Sequence, residues 1–329
     1  MDYIRLGGTD MNVSRMVLGC WAAGGGAEWG QTLSDETYID MMACAVEGGI
    51  NFFDTAAGYG EGHSEVLLKT ALAGLRDKVF ISTKATAEHL RKGQAEKTVV
   101  QNLRRLGSEF IDLYFIHWPH PDIAVEENME ELLGLKERGL IRAIGVSNFT
   151  VAHLQRALQA GPVDVVQPCY SLFWRQIEAG LLPFCREHGI AVITYSSIAQ
   201  GLLTAKFSAG WRFDADDQRP QAVPLFQGRT FAAAVEAARS IEKLGLGYGK
   251  SAAQTAINWV LQQSGVTAAI VGAKTRAQMT ENLGAVGWAL SDNDRRLAGD
   301  IGMEVAALVA DWDTMYARHD GRLLIKNPR

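Results

Sequence analysis

Cysteine is scarce in this sequence. The four thiols, Cys20, Cys44, Cys169 and Cys185, lie far apart in 329 residues and form no Cys-x-x-Cys pair. That spacing predicts neither a disulfide framework nor a zinc site, and Cys44 falls on the apolar face of a predicted helix, so the thiols read as reduced and structural. Long hydrophobic runs are missing as well: none approaches the ~20 residues of a membrane-spanning helix. The opening Met-Asp-Tyr-Ile-Arg-Leu-Gly-Gly lacks the basic, apolar and small-residue order of a secretory signal, so a cytoplasmic location with no membrane partner is expected. Charge of one sign is not in excess either. With 32 Lys and Arg against 37 Asp and Glu, the formal charge of −5 gives no general pull toward nucleic acid, and any anion site must be local. Hydrophobic residues at 47% and charged residues at 21% argue against disorder, and no composition shift marks a linker, so one domain over 1–329 is expected.

Three familiar motifs fail on inspection. Gly245-Leu-Gly-Tyr-Gly249-Lys250-Ser251 invites a phosphate-loop reading, but Leu244 stands where that motif needs glycine and no strand precedes it. Gly24-Gly25-Gly26 has no glycine three residues on, where a dinucleotide fingerprint requires one. In His117-Trp118-Pro119-His120, Pro119 prevents the helical spacing that paired metal ligands use, so no metal is expected.

What is present is a regular alternation. Residues 2–18 read as a hairpin, Tyr3 to Leu6 and Val13 to Leu18, about the turn Gly7-Gly8-Thr9-Asp10. Eight short β-type apolar runs then recur: Met16 to Gly19, Ile50 to Phe53, Val79 to Thr83, Ile111 to Ile116, Ala143 to Val146, Val163 to Val166, Ala191 to Thr194 and Ala268 to Val271. Between them lie segments of helical period, such as Ser34 to Glu47, where Ser34 can cap and Ile39, Met42, Ala43 and Val46 form one stripe. The others are Ser64 to Ala73, Glu96 to Leu106, Val125 to Arg138, Thr150 to Gln159, Ile177 to His188, Ser251 to Gln262 and Thr275 to Val286. Strand and helix alternating eight times predict parallel strands with crossover helices, and this length suits a closed (β/α)8 TIM barrel, an α/β fold, better than an open sheet. Thr204 to Gly228, long, charged and Pro-containing, reads as a mobile loop after strand seven, and Thr230 to Leu244 as an extra helix. A C-terminal helix is expected from Asp292 to about Val309, followed by a tail, 311–329, that would cover the barrel mouth or meet a second subunit in a homo-oligomer.

In such barrels chemistry collects at the C-terminal ends of the strands. There the sequence supplies Cys20 and Trp21 after run one, Asp54 and Tyr59 after two, Lys84 after three, and His117 after four. Run five is followed by Ser147 and Asn148, six by Gln167, seven by Tyr195, Ser196 and Ser197, and eight by Gly272 and Lys274. Singly, each has a plainer reading: Asp with Lys as a structural ion pair, a surface Tyr, a hydrogen-bonded core His. Together, a carboxylate, a phenol, an ammonium and an imidazole at one mouth suit proton delivery to a carbonyl oxygen as hydride reaches its carbon. A tyrosine of ordinary pKa ~10 is a weak acid, and an adjacent Lys cation eases its proton release. Asp54 would orient Lys84, and a neutral His117 could donate to the carbonyl.

These residues sit in motifs that resemble the aldo-keto reductases. They are Gly49 to Gly60 with its Phe-Asp-Thr-Ala core, Ser82-Thr83-Lys84, Asp112 to His117, Gly145-Val-Ser-Asn-Phe149 and the late Gly272-Ala-Lys-Thr275 with Glu281-Asn282. The resemblance, over residues 2 to about 290, implies a catalytic tetrad of Asp54, Tyr59, Lys84 and His117 and NADPH or NADH bound without a Rossmann fold. It further implies that Ser147, Asn148 and Gln167 hold the carboxamide, that Tyr195 stacks on nicotinamide beside Trp21, and that the stretch Ser196 to Leu203, with Ile198, Gln200, Gly201 and Leu202, wraps the pyrophosphate with Lys206. Gly272, Lys274, Thr275, Gln278, Glu281 and Asn282 would hold the adenosine end. Lys274 and Thr275 open a predicted helix, and a cation at a helix N-terminus suits a 2′-phosphate, which favours NADPH.

Within the family the chain is similar to bacterial sugar- and inositol-cluster reductases and to potassium-channel β subunits. Trp21, Trp29, Trp118, Trp174, His120 and Arg175, with Tyr59, would line the substrate pocket, and flat aromatic faces with donors between them suit a sugar-derived aldehyde. Trp29 and Trp174 have the alternative of merely covering the mouth. Two rival functions remain open: a cofactor-binding, redox-sensing regulatory subunit with slow turnover, and a barrel aldolase or hydrolase using Lys84 as a Schiff base.

Overall fold

The chain begins with an antiparallel hairpin, β1 (Tyr3–Arg5) against β2 (Asn12–Ser14), in a computed structural model that describes residues 1–24, 33–208, 210–215, 217–312, 314–315, 318–319 and 322–323. Eight parallel strands follow: β3 (Met16–Gly19), β4 (Phe52–Asp54), β5 (Phe80–Ala85), β6 (Ile111–Ile116), β7 (Ile141–Ser147), β8 (Val165–Gln167), β9 (Ala191–Thr194) and β10 (Ala268–Gly272). Each bonds to the next, and β10 returns to β3 with Gly272 opposite Gly19, so the sheet closes into the expected barrel. The crossover helices are α1 (Asp35–Glu47), α2 (His63–Ala71), α3 (Ala95–Leu106), α4 (Val125–Glu137), α5 (Val151–Ala160) and α6 (Leu181–Glu187). After β9 come α7 (Arg219–Ala222), α8 (Gly228–Leu246) and α9 (Ala252–Leu261), and after β10 come α10 (Arg276–Leu283) and α11 (Asp292–Ala307).

Local chemistry explains the helix starts. The Ser34 hydroxyl accepts from the Thr37 N–H, with Asp35 and Glu36 in the first turn of α1. Thr150 with His153 and Ser251 with Gln254 form reciprocal capping boxes on α5 and α9.

The hairpin is a cork. Leu6, Met11 and Val13 are buried in the same cluster as the barrel's inward residues Val17, Phe52, Leu113, Phe115, Val165, Ile193 and Ile270. Asp10 pairs with Arg142 at the start of β7, which fixes the hairpin at the N-terminal end of the strands. Gly145 makes room inside for Phe115: a Cβ there would lie 2.3 Å from the ring. The opposite end is left for chemistry.

Three elements differ from the sequence reading. The run Val13 to Leu18 breaks at Arg15, where the chain passes from hairpin to barrel. The Arg15 guanidinium donates to the carbonyls of Thr267 and Val266 beside the break. The helix expected from Ile177 begins only at Leu181, because Gly180 has non-helical angles and stands as its N-cap, with no side chain to accept from the first turn. The segment 204–228 carries α7 and a buried aromatic cluster in which Phe207 and Phe226 pack with Phe213 and Phe231. At the C-terminus, the Gln176 side chain donates to the carbonyls of Val309 and Trp312, and Met315 is buried.

Among the described residues all four cysteines are buried and free, no metal-binding cluster is found, and no helix is long and apolar enough to cross a membrane.

Candidate active site

Phe52 and Phe53 are fully buried in β4, and the strand delivers Asp54 to its mouth end with 3% exposure. A carboxylate so buried needs partners. Its Oδ2 lies 2.6 Å from the Nζ of Lys84, and its Oδ1 accepts from the Ser82 hydroxyl at 2.7 Å and from Nε2 of Gln167 at 2.9 Å. Lys84, on β5, is wholly buried; its Nζ also donates to the Thr55 carbonyl at 2.8 Å and approaches the Tyr59 hydroxyl at 3.4 Å. Burial pushes the Lys84 ammonium below the ordinary lysine value, and the charge and hydrogen bond of Asp54 oppose that fall. With these partners around it, Lys84 is an ion-paired donor, not an amine open to a carbonyl as a Schiff-base mechanism needs.

Tyr59 is held by backbone. The Ala57 N–H bonds to the Lys84 carbonyl, and Gly60, at φ +59°, comes so close to Gly24 that a Cβ would stand 1.6 Å from its carbonyl oxygen. Gly24 thereby acquires a packing role in place of the nucleotide motif it imitates. The imidazole of His117 meets the Tyr59 ring edge-on at 5.9 Å, its backbone N–H bonded to the Ala85 carbonyl at 2.8 Å. Asp54, Tyr59, Lys84 and His117 therefore stand together, with the Trp21 ring 6.1 Å from that of Tyr59.

The expected cofactor residues form a second group beside the first. The Tyr195 hydroxyl donates to Oδ1 of Asn148 at 2.7 Å, and Nδ2 of Asn148 donates to the His117 carbonyl and the Ser147 hydroxyl, both at 3.0 Å. Ser147 in turn donates to the Gln167 carbonyl at 2.9 Å. The loop after β9 is strained: Ser196, Ala199 and Gln200 join Gly201 at positive φ, a conformation that non-glycine residues keep only where the surroundings impose it. Ile198 is half-buried and Leu202 fully so. Gln200 donates to Ser196 and contacts Met315 from the C-terminal segment. Across the mouth, Asn282 donates to the Gly272 carbonyl, the Thr275 hydroxyl caps α10 by accepting from the Gln278 N–H, and Oε1 of Gln278 accepts from the Lys274 N–H. Glu281 is exposed on the same helix. The Lys206 ammonium is lowered by desolvation first, then by the nearby charges of Arg219 and Lys274, with Asp217 opposing. Among the described residues, Lys206 and Lys274 beside the Arg219–Asp217 pair make a positive setting that favours an anion.

The pocket residues separate. Trp118 lies beside His117 with ring centroids 6.4 Å apart, and His120 faces Glu88 at 3.4 Å. Trp174 is 2% exposed in a tight turn closed on Ser171. Arg175 pairs with Glu178, bonds the Gly299 carbonyl and lies over Trp259, so its guanidinium serves the wall of the barrel. Trp29 lies outside the described residues.

Sequence reasoning passed over Ser82 and the pair Asp217 with Arg219. Ser82 stands two residues before Lys84, on the same face of one strand, and that period was a usable signal. Arg219 is buried, with Nε 2.9 Å from Oδ1 of Asp217, NH1 donating to the Gln200 carbonyl at 3.0 Å, and Phe226 at 5.2 Å. Its signal was a charged pair set among four phenylalanines.

The aldo/keto reductase family model matches residues 15–297. The chain belongs to this family. It is 35% identical to aldo-keto reductase YhdN of Bacillus subtilis over 90% of this chain and 92% of that protein. It is also 35% identical to the NADH-specific methylglyoxal reductase of Escherichia coli, over 90% and 97%. Its fold is similar to that of the glycerol dehydrogenase AKR11B4 of Gluconobacter oxydans, with a TM-score of 0.83, 34% identity and 98% of each chain covered. Like the rest of the family, the chain is an NAD(P)H-dependent oxidoreductase acting on carbonyl or alcohol groups. The fit to such a cofactor is physical: a strained loop that presents backbone, a tyrosine fixed by an asparagine, and converging cations for phosphate.

Proposed function

We propose that the chain reduces a small, oxygen-rich aldehyde, sugar-derived in the simplest case, to the alcohol with NADPH. Bound NADPH supplies the hydride. Tyr59 gives the proton to the carbonyl oxygen, Lys84 stabilises the phenolate left behind, Asp54 orients Lys84, and His117 steers the carbonyl. The observation that carries this reading is the position of the Lys84 Nζ, 2.6 Å from Asp54 and 3.4 Å from the Tyr59 hydroxyl in a buried mouth.

The names of two relatives, a methylglyoxal reductase and a glycerol dehydrogenase, support small oxygenated substrates. The cluster of Lys206, Arg219 and Lys274 supports NADPH, although the Escherichia coli relative is named NADH-specific. Its charge favours a ligand carrying one more phosphate.

The test is to follow NADPH absorbance over a panel of 2-oxoaldehydes and sugar aldehydes, with Tyr59→Phe beside the wild type. Turnover that drops roughly 10²- to 10⁴-fold in the variant, with cofactor affinity kept, is expected. Near-normal turnover by the variant removes Tyr59 from the mechanism. Tight cofactor binding with no turnover on any carbonyl favours a regulatory subunit instead.

A further inference from the structure

We propose that Glu88, held against His120 on the rim of the mouth, selects substrates by charge: it takes hydroxyl or ammonium donors of an aldehyde and rejects aldehydes that carry phosphate or carboxylate. The inference rests on the reductase reading and narrows its substrate to unphosphorylated hydroxy- and amino-aldehydes.

Two neighbouring loops bring the pair together. Glu88 lies in the short helical turn Ala87–Leu90 that follows β5 and Lys84, and His120 lies in the loop that follows β6 and His117. The turn is clamped: Ala87 and Leu90 are buried, and Nδ2 of the buried Asn128 on α4 donates to both their carbonyls, at 2.9 and 3.0 Å. Glu88 is left exposed on it. His120 is fixed from the other side. Its Nδ1 accepts from the Asp122 backbone N–H at 3.1 Å, so the neutral ring carries its proton on Nε2, the atom 3.4 Å from Oε1 of Glu88.

The carboxylate keeps its charge. Desolvation tends to raise Glu88, but hydrogen bonds from the Thr86 hydroxyl and from its own backbone N–H, with His120 and His89 beside it, outweigh that and leave it below the ordinary value. Among the described residues no lysine or arginine pairs with it, and Arg91, the nearest cation along the chain, faces Glu127 at 3.4 Å. A carboxylate has about four lone-pair sites, so Glu88 retains capacity to accept from a ligand.

The closed strand order gives this charge its meaning. β5 and β6 stand diametrically opposite β9 and β10 in the barrel. Lys206 and Arg219 follow β9 and Lys274 follows β10, so the cations that suit cofactor phosphate occupy one side of the mouth. Glu88 occupies the other, and Glu61, which follows Tyr59, and Asp122 are exposed acidic neighbours in its adjoining loops. With cofactor phosphates answering the cations, a second phosphate carried by the substrate meets carboxylates, whereas a hydroxyl or ammonium finds an acceptor.

The test measures kcat/KM with NADPH for glyceraldehyde and for glyceraldehyde 3-phosphate, which share the carbonyl and differ in charge. Wild type should prefer glyceraldehyde, and the preference should shrink as salt screens the rim. Glu88→Gln keeps the size and an acceptor but removes the charge. It should raise kcat/KM for the phosphate ester by on the order of tenfold and lower it for glyceraldehyde by a few-fold, mostly through KM. An unchanged ratio of the two substrates in Glu88→Gln overturns the proposal, and so does a wild type that prefers the phosphate ester. The reductase reading fails separately, when neither aldehyde is turned over or when Tyr59→Phe turns over normally. Binding of glycerol and of glycerol 3-phosphate to the NADP⁺ complex, read by tryptophan fluorescence, then makes the same comparison without chemistry. There Glu88→Gln should tighten the phosphate ester alone, and equal changes for the two ligands overturn the proposal.

Discussion

Gly60 passes so close to Gly24 that neither can carry a side chain: a Cβ at 60 would lie 1.6 Å from the Gly24 carbonyl oxygen, and one at 24 would lie 2.7 Å from the Tyr59 carbonyl carbon. The phenol is therefore placed by the close packing of two glycines. Gly60→Ala meets both this contact and a left-handed backbone, which alone costs about 1–2 kcal/mol. Turnover should fall with little change in cofactor affinity, and thermal unfolding should shift down. Unchanged kcat would mean that the loop has room the geometry denies.

Lys84 sets opposite signs for activity and stability in alkali. Its folded value lies below that of the unfolded chain, so between the two the unfolded state holds a proton that the folded state has lost, and stability rises with pH. Activity should fall through the same window, because the cation that supports the phenolate disappears. Lys84→Met should lack both trends and be inactive. Denaturant melts and kcat measured over one alkaline pH series check the pairing.

Lys274→Ala separates the cofactors. NADPH binding should weaken by ~1.5–3 kcal/mol, the range for a hydrogen bond to a charged group, with NADH nearly unaffected. Fluorescence titration of both cofactors gives the answer. Equal losses would mean that Lys274 does not read the 2′-phosphate.

Arg219→Met should loosen the loop after β9 and cost about 3–5 kcal/mol, since it strands a buried carboxylate. Desolvation tends to raise Asp217, but the hydrogen bonds and charge of Arg219 outweigh it and hold Asp217 below the usual carboxylate value. That contribution is present above the unfolded value of ~3.9 and is lost as pH falls through the lower folded one. The gap between wild type and variant should therefore narrow in acid, which chemical unfolding at several pH values measures.

The barrel was legible because the strands are short apolar runs that end in polar or small residues, and several helices begin at a side chain that caps them, as at Ser34, Thr150, Ser251 and Thr275. The mouth residues were legible for the same reason, since a strand's end marks the rim. What stayed hidden depends on contacts between distant parts of the chain. Ser82 and Gln167 meet on one carboxylate although 85 positions separate them, the difference of 167 and 82. The charge count of 204–228 suggested a solvated loop, yet Arg219 spends its charge on Asp217 and its flat face on Phe207, Phe213 and Phe226. Arg175 looked like a pocket cation because sequence cannot show that Glu178 and Trp259 claim it.

Closure of the barrel sets a timetable for synthesis. β3 pairs with β10, Val17 against Ile270, so the first wall strand waits for almost the last one to leave the ribosome. Until then Leu6, Met11 and Val13, which cork the finished barrel, have no lumen to fill and stay open to other chains. The nascent protein spends most of its translation with an unsealed seam, and chaperone demand should follow the length of that wait more than the stability of the finished fold.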